Sequence, residues 1–253
     1  MVCHRPPTWT PPCTGAATAG CTNIVQGCRL TNDADRACRC RAGCDPSMLI
    51  SNVLFRCNGA AVLLSSARRH ARPAKYRVEH IVCTHLAADD EAYGCVQLTE
   101  DDSKVAGIKL KQELVSVAER ALRQNMQDLG PLVLPIGEKL KYMASYIARR
   151  LQYIPDFKKA FDFFCIHTGG RGIIDALERH MQLSRRQVEP SRAALYRFGN
   201  VSSSSVWYDL AFIEAFQGVA AGQRVWQLAF GSGFKFNSAV LVANRCAGWT
   251  ASS

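Results

Sequence analysis

The stretch Phe161-Asp-Phe-Phe-Cys-Ile-His-Thr-Gly-Gly-Arg-Gly-Ile-Ile-Asp-Ala-Leu-Glu-Arg-His-Met181 decides the fold class of this chain. Its first six residues form a short, mostly apolar run, which is typical of a buried strand. His167 and the pair Gly169-Gly170 follow, and apolar residues then recur at helical spacing over residues 173–181. The stretch therefore predicts a strand, a glycine loop and a helix, the unit from which α/β proteins are built.

Elements of both kinds are predicted on either side of this stretch. Apolar spacing predicts further helices over residues 110–129, 136–151 and 191–196, and the serine run 202–205 offers N-caps for another. The first of these helices is expected to stop at Gly130-Pro131. Further strands are predicted over residues 60–65, 76–84, 93–98, 224–230 and 238–243. Because strands and helices alternate, the predicted fold class is α/β.

The composition describes a globular chain with a basic surface. Of the 253 residues 48% are hydrophobic and 21% are charged, which is enough apolar material for a core. Lys and Arg number 31 against 21 Asp and Glu, a formal charge of +10 that favours anionic partners. The charge alone leaves nucleic acid, a membrane surface and a phosphorylated ligand open. The cations are scattered and no nucleic-acid-binding motif accompanies them, so we expect no nucleic-acid partner.

Neither a membrane span nor a signal peptide is predicted. No stretch reaches the roughly 18 consecutive apolar residues that a spanning helix requires. Residues 1–13 contain four prolines and no apolar run of the kind a signal peptide carries. From these residues alone we expect a soluble chain.

Twelve cysteines make the composition unusual, and seven of them lie in the first 44 residues. Zinc binding would need two matched Cys pairs, and only Cys40 and Cys44 come close to one. A disulfide framework fits poorly with an odd number and no secretory signal. Residues 1–46 are therefore predicted to be an atypical Cys-rich segment without regular structure, 47–245 the folded domain and 246–253 a tail. The other cysteines are predicted to be small buried hydrophobes: Cys57, Cys83, Cys95, Cys165 and Cys246.

Two residues stand at the ends of predicted elements, where active groups of α/β sheets usually lie. His167 follows a buried strand, and Asn200 lies at a helix end ahead of a capped helix. A partly buried structural His and an Asn at a left-handed helix end are the alternatives. Gly231-Ser232-Gly233 resembles half of a phosphate loop, although it joins two strands and begins no helix.

Four long segments carry a resemblance to a known family. They are Tyr153-Ile-Pro-Asp-Phe-Lys158, Phe164-Cys-Ile-His-Thr-Gly-Gly-Arg171, Arg197-Phe-Gly-Asn-Val-Ser-Ser-Ser-Ser-Val-Trp-Tyr208 and Arg224-Val-Trp-Gln-Leu-Ala-Phe-Gly-Ser-Gly-Phe-Lys-Phe-Asn-Ser-Ala239. They resemble the C-terminal half of plant 3-ketoacyl-CoA synthases, relatives of chalcone synthase on the thiolase fold. The resemblance extends over residues 47–245. It implies a truncated thiolase-like fold, with the C-terminal half and the end of the N-terminal half.

The resemblance also implies a reaction and a site. In this family an acyl group passes from coenzyme A to a Cys, malonyl-CoA loses carbon dioxide, and the enolate attacks the thioester. The family's His and Asn fall on His167 and Asn200, with His85 supporting the site. Gly231, Ser232 and Gly233 are the expected substrate-binding turn. Malonyl-CoA and a long-chain acyl-CoA would be the substrates, and neither a cofactor nor a metal is expected.

Partners and location follow from the same resemblance. The family implies other subunits of the fatty acid elongase, a homodimer, and the endoplasmic reticulum membrane. The basic residues between Arg68 and Arg77 could meet coenzyme A phosphates, or could form an ordinary solvated face.

Departures from the family leave two functional hypotheses. The family nucleophile lies in a Gly-Cys-Ser-Ala-Gly motif, which the given sequence lacks. The most similar stretch is Ala19-Gly-Cys-Thr22, which contains Cys21. Phe163 and Tyr196 stand where the family usually has His. The first hypothesis is a 3-ketoacyl-CoA synthase that is inactive as this chain. The second is a truncated non-catalytic remnant, or an acyl-CoA-binding or interaction module.

Overall fold

The computed structural model describes residues 46–100, 102, 104, 106–147 and 155–247. Within these residues the main helices and strands alternate as predicted for an α/β chain. The helices are α1 Pro46–Leu54, α2 Asp90–Gly94, α3 Leu114–Val133, α4 Ile136–Ile147, α5 Arg171–Met181, α6 Arg185–Phe198 and α7 Ser205–Phe212. The strands are β1 Tyr76–His85, β2 Val96–Glu100, β3 Ala106–Leu110, β4 Phe163–Ile166, β5 Arg224–Gly231 and β6 Lys235–Ala243.

The main sheet brings three strand ends to one edge. Its order is β1-β6-β5-β4, with β4 parallel to β5 and β6 antiparallel to both β5 and β1. Strands β1, β5 and β4 therefore run in the same direction, so their carboxyl ends share one edge of the sheet. These ends carry His85, Gly231 and, directly after β4, His167.

The sheet is buried on both faces, because alternate residues of a strand point to opposite sides. Phe164 and Ile166 join the larger apolar cluster on one side, together with Trp226 of β5. Cys165 and Val225 join the second cluster on the other side. Helix α3 packs across β1 and β6, whereas α6 and α7 pack against β4. The described core is thus a helix–sheet–helix sandwich.

A buried amide holds α3 to the sheet. Asn125 is fully buried, and its Nδ2 lies 3.0 Å from Thr84 Oγ1 and 3.2 Å from the carbonyl oxygens of Val82 and Phe236. The Oδ1 of Asn125 accepts a hydrogen bond from Ser238, which in turn accepts one from Trp226 Nε1 at 2.8 Å. Buried polar groups need such partners, and this set fixes the position of α3 over β1 and β6.

The predicted strand over residues 60–65 is wrong. This segment has no regular structure, and Leu63 is 82% exposed. A strand requires neighbours that pair with its backbone, and no described strand pairs with this segment. The apolar run was correctly recognised, but it has no sheet to join within the described residues.

The boundaries of α3 and its neighbours also differ from prediction. Helix α3 begins at Leu114, because Ala106–Leu110 pairs with Val96–Glu100 in a two-stranded sheet. It continues through Pro131 to Val133, and Leu134 N closes the last turn on Gly130 O at 3.0 Å. The buried stripe of α3 was predicted correctly. The last four residues of the helix predicted over 136–151 lie outside the described ranges, as do residues 1–45.

Candidate active site

His167 is the first residue after β4, and the backbone of the sheet fixes its position. Its N–H donates to the carbonyl oxygen of Leu228 at 2.9 Å, which continues the pairing of β4 with β5. Its ring meets Phe230 edge to face, with 4.7 Å between ring centroids. A Cβ on Gly169 would lie 2.7 Å from the ring of Phe230, so the glycine is needed for this close approach. The imidazole is thereby held at the carboxyl edge of the sheet.

Burial keeps the imidazole of His167 neutral. The residue is only 7% exposed, and its Nδ1 has no hydrogen-bond partner among the described residues. Loss of hydration lowers the pKa of His167 to about 4, while the backbone carbonyl of Ser202 acts weakly in the opposite direction. A neutral imidazole carries one N–H, so near pH 7 the ring can donate a hydrogen bond without carrying charge.

Asn200 is held in place through its backbone and its side-chain oxygen. Its N–H donates to Leu54 O at 2.8 Å, and its carbonyl oxygen accepts from Arg56 N at 2.9 Å. Its Oδ1 accepts a hydrogen bond from Ser202 N at 2.8 Å. Because Oδ1 must face that donor, Nδ2 points away from it as a hydrogen-bond donor. The residue is 2% exposed, so this donor is withdrawn from bulk water.

The structure brings the His167 and Asn200 loops together. Thr168 Oγ1 lies 3.2 Å from Gly199 O and 2.8 Å from Ser205 Oγ, and its one hydrogen serves both acceptors. Ser205 Oγ donates in turn to Ser202 O at 2.7 Å. The residue after His167 is thus bonded to the residue before Asn200. Neither the role of Thr168 nor that of Ser205 was predicted, and nothing in their spacing would have indicated it.

His85 and the turn Gly231-Ser232-Gly233 lie beside each other at the same sheet edge. A Cβ on Gly233 would be 3.2 Å from His85 Nε2. Phe234, which follows the turn, stacks on Phe230, the residue that contacts His167. His85 is exposed, unlike His167 and Asn200. It therefore belongs to the rim of the site.

A second unpredicted network lies behind β4. Ser191 Oγ accepts from Ile166 N at 2.9 Å and donates to Asp209 Oδ2 at 2.8 Å. Burial raises the pKa of Asp209 well above its usual range, and the hydrogen bonds from Ser191 and Ile166 only partly oppose this. The network anchors the residue immediately before His167. A single Asp among the apolar residues of α7 was its only signal in the sequence.

A groove of 720 Å³ runs beside Asn200. One wall comes from α1 and the segment after it, including Val53 and Arg56, and the other from the end of α6, including Tyr196 and Arg197. The walls combine apolar side chains with two guanidinium groups. Such a surface suits a ligand with an apolar chain and an anionic part.

Comparisons with known proteins indicate the family of this chain. Residues 36–151 match the model of the FAE1/type III polyketide synthase-like proteins, and residues 135–244 match the C-terminal domain of chalcone and stilbene synthases. The chain is 51% identical over 205 residues to 3-ketoacyl-CoA synthase 4 and 49% identical over 199 residues to 3-ketoacyl-CoA synthase 7, both from Arabidopsis thaliana. The chain belongs to the 3-ketoacyl-CoA synthase family.

The alignments cover 79% and 77% of this chain but only 40% and 43% of the two relatives. This family member therefore spans about two fifths of the length of the curated relatives it matches. The fold of the chain is similar to that of a solved structure, with a TM-score of 0.52. That structure is the C-terminal type III polyketide synthase domain of Steely1, a type I/III hybrid from Dictyostelium. That match covers 78% of this chain and 48% of the Steely1 domain at 15% identity. The predicted thiolase-like class is confirmed.

The two residues that replace family histidines lie in different environments. Phe163 is half-buried and packs against the apolar cluster that contains Cys165. Tyr196 is 91% exposed and lines the groove beside Asn200. Neither occupies a buried polar position.

The cysteines of the family member only partly match the predicted burial. Cys95 and Cys165 are buried as expected, but Cys83 and Cys246 are exposed. Cys57 is exposed and disulfide-bonded, with a partner outside the described residues. Burial raises the pKa of both Cys95 and Cys165 and keeps them as thiols. Cys21 lies outside the described residues.

The described residues hold neither a metal-binding cluster nor a membrane-spanning helix. No group of three or more His, Cys, Asp or Glu side chains there is arranged to hold a metal ion. No helix in the same part of the chain is both long and apolar enough to cross a membrane. The basic residues Arg68, Arg69 and Arg72 are exposed.

Proposed function

We propose that residues 47–245 supply the enolate-stabilising part of a 3-ketoacyl-CoA synthase site, and that this chain by itself does not condense its substrates. The observation that supports this is the contact of Thr168 with Gly199 and Ser205, which joins the His167 and Asn200 loops. Both loops present a neutral hydrogen-bond donor that is withdrawn from bulk water. Such donors suit an oxygen on which negative charge develops.

The proposed chemistry is a decarboxylative condensation. A cysteine thiolate attacks the acyl-CoA thioester, and the acyl group passes to the cysteine while coenzyme A leaves as its thiolate. Malonyl-CoA then loses carbon dioxide, and its thioester oxygen takes up the negative charge of the enolate. His167 and Asn200 Nδ2 donate hydrogen bonds to that oxygen. The enolate carbon attacks the acyl thioester, releases the thiolate and yields a 3-ketoacyl-CoA longer by two carbons.

The two buried cysteines of the described residues do not suit the role of the nucleophile. Attack requires a thiolate, and buried cysteines with raised pKa values are inert. Cys95 and Cys165 are of this kind. A neutral His167 offers no positive charge to lower the pKa of a cysteine.

The substrates, partners and location are part of the same proposal. Malonyl-CoA and a long-chain acyl-CoA would bind, with no cofactor and with Gly231, Ser232 and Gly233 as substrate-binding turn. Other elongase subunits and a second copy would be the protein partners, and the endoplasmic reticulum membrane the location. The exposed arginines near Arg68 would meet coenzyme A phosphates.

A non-catalytic acyl-CoA-binding module is the second candidate. The groove beside Asn200 favours it, because Val53 and Tyr196 offer apolar surface while Arg56 and Arg197 offer positive charge. A binding module needs this groove and no nucleophile. It predicts retention of a long-chain acyl-CoA without any covalent step.

Acyl transfer to the purified chain tests the proposal. The chain is incubated with a labelled long-chain acyl-CoA, and mass spectrometry searches for a hydroxylamine-sensitive adduct on its cysteines. We expect none. A stoichiometric adduct on one cysteine that disappears in His167→Ala would overturn the statement that this chain lacks a working nucleophile.

A chimera tests the roles of the two donors. Residues 47–245 replace the matching part of a complete 3-ketoacyl-CoA synthase, and condensation is measured with malonyl-CoA and a long-chain acyl-CoA. His167→Ala or Asn200→Ala should each lower the rate about 10²- to 10³-fold, the usual effect of removing one such donor. Gln97→Ala, at an exposed position of β2, is the control. Unchanged rates in the two site variants would contradict the assignment.

A further inference from the structure

Helix α4 turns its apolar side chains toward solvent. Ile136, Leu140, Met143 and Ile147 recur about once per turn, and they are 75%, 64%, 52% and 74% exposed. We call these four residues the outer stripe. A helix on a globular core normally buries such a stripe, because exposed apolar area is unfavourable in water. The outer stripe therefore requires a partner outside the described fold.

The polar face of the same helix is what attaches it to the protein. Glu138 is buried, and it accepts hydrogen bonds from Asp156 N at 3.2 Å, from Lys141 at 3.3 Å and from Lys159 at 2.6 Å. At about 100° per residue, Glu138 and Ser145 lie roughly opposite the outer stripe. The orientation is thus imposed by an ion-pair network that holds the polar side inward.

The size of the outer stripe argues against a second copy as the partner. A helix of 12 residues is about 18 Å long, and at a width of about 10 Å it offers roughly 200 Å². A stable protein interface buries about 800 Å² on each partner.

The surrounding charge indicates the chemistry of the partner. Lys139 lies beside the outer stripe, whereas Lys141, Lys158 and Lys159 lie toward the inner face of the helix, where they pair with Glu138 and Asp156. These four lysines outnumber the two nearby carboxylates, Glu138 and Asp156. Lysine stems can lie along an apolar surface while their ammonium groups reach anionic headgroups. An apolar stripe on a helix whose surroundings carry an excess of lysines is typical of helices that lie in the surface of an anionic bilayer.

We propose that α4 docks on an anionic lipid bilayer, with the outer stripe entering the boundary between headgroups and acyl chains. The helix lies parallel to the membrane, since about 18 Å is too short to cross a hydrocarbon core of about 30 Å. Leu132, at the end of α3, is 51% exposed and extends the apolar surface. This inference adds a contact surface to the membrane location in the proposed function, but it uses no residue of the His167 site, so either can fail without the other.

Vesicle flotation of the full chain tests the docking. The vesicles are phosphatidylcholine alone or an equimolar mixture with phosphatidylserine. The chain should float with the mixed vesicles and much less with phosphatidylcholine. Leu140→Glu with Met143→Glu should weaken binding at least about a hundredfold. Lys139→Gln should weaken it about fivefold on the mixed vesicles. Leu98→Glu is the matched control, because Leu98 is 59% exposed on the two-stranded sheet.

Three outcomes would overturn the proposal. The first is no flotation of the unmodified chain, and the second is equal flotation of the double variant. The third is a dimer in sedimentation velocity that the double variant converts to a monomer while neither floats, which assigns the stripe to a second copy. Circular dichroism checks that the variants fold. If the double variant does not fold, the single variant Ile147→Glu provides a second test of the same stripe.

Discussion

Thr168 Oγ1 lies 3.2 Å from the carbonyl oxygen of Gly199, a contact between residues 31 positions apart. The same hydroxyl lies 2.8 Å from Ser205 Oγ. Thr168 follows His167, and Gly199 precedes Asn200, so one buried hydroxyl sets the spacing of the two candidate donors. Because its hydroxyl bonds groups of the Asn200 loop, Thr168 is a positioning residue and not a reacting group.

Thr168→Val should destabilise the chain by about 1–2 kcal/mol, because it leaves the buried acceptors Gly199 O and Ser205 Oγ without their donor. In the chimera it should also slow condensation while leaving KM nearly unchanged. Urea denaturation and steady-state kinetics measure the two effects. Thr168→Ser keeps the hydroxyl and should restore most of both losses, and a Ser variant as impaired as Val would contradict the role of the hydroxyl.

Gly199→Ala should be more damaging. Gly199 has a φ of 71°, and an added Cβ would lie 2.9 Å from Leu54 O and 2.7 Å from Arg56 Cγ. Strain in the left-handed region and displacement of the Leu54–Arg56 segment together should cost about 2–4 kcal/mol. Gly172→Ala is the control, because nothing lies within 4 Å of its added Cβ. Equal urea midpoints for the two variants would contradict the close approach.

The neutral imidazole of His167 should make stability depend on pH. Its pKa is about 4 in the fold and about 6.5 in the unfolded chain, so between these values the unfolded chain binds more protons. The contribution is complete above about pH 6.5 and is lost as the pH falls toward 4. Between pH 7 and 4.5 the loss should be about 2–3 kcal/mol.

Comparison with His167→Gln isolates this effect from other titrating groups. The unmodified chain should lose more stability on acidification than the variant, in urea titrations at pH 7 and 4.5. Asp209 has a raised pKa and acts in the opposite direction, but it is present in both proteins. The same pH dependence in both proteins would mean that His167 is not buried in its neutral form.

Cysteine reactivity should separate the described thiols into two classes. Cys83 and Cys246 are exposed, whereas Cys95 and Cys165 are buried with raised pKa values. Iodoacetamide at pH 8 should modify the first pair readily and the second only when the chain unfolds. Peptide mass spectrometry with and without urea measures this. Rapid modification of Cys165 in the native chain would contradict its burial and reopen it as a nucleophile.

The alternation of helices and strands could be predicted from the sequence, and so could the positions of the two candidate site residues. The run ending at Ile166 predicted β4, and the spacing after Gly170 predicted α5 to within two residues. His167 and Asn200 could be singled out because both stand at element ends. These features are local, since strand and helix periodicities are encoded by neighbouring residues.

Long-range contacts decided the rest. The apolar run over residues 60–65 indicates a strand, but strand pairing requires partners elsewhere in the fold. The spacing of Leu140 and Ile147 predicts a stripe on α4, but only the burial of Glu138 turns that stripe outward. Likewise, the sequence determined that His167 and Asn200 follow regular elements, whereas the packing of α6 and α7 against β4 brought Thr168 to Gly199. Such contacts depend on residues far apart in the chain, so local pattern cannot specify them.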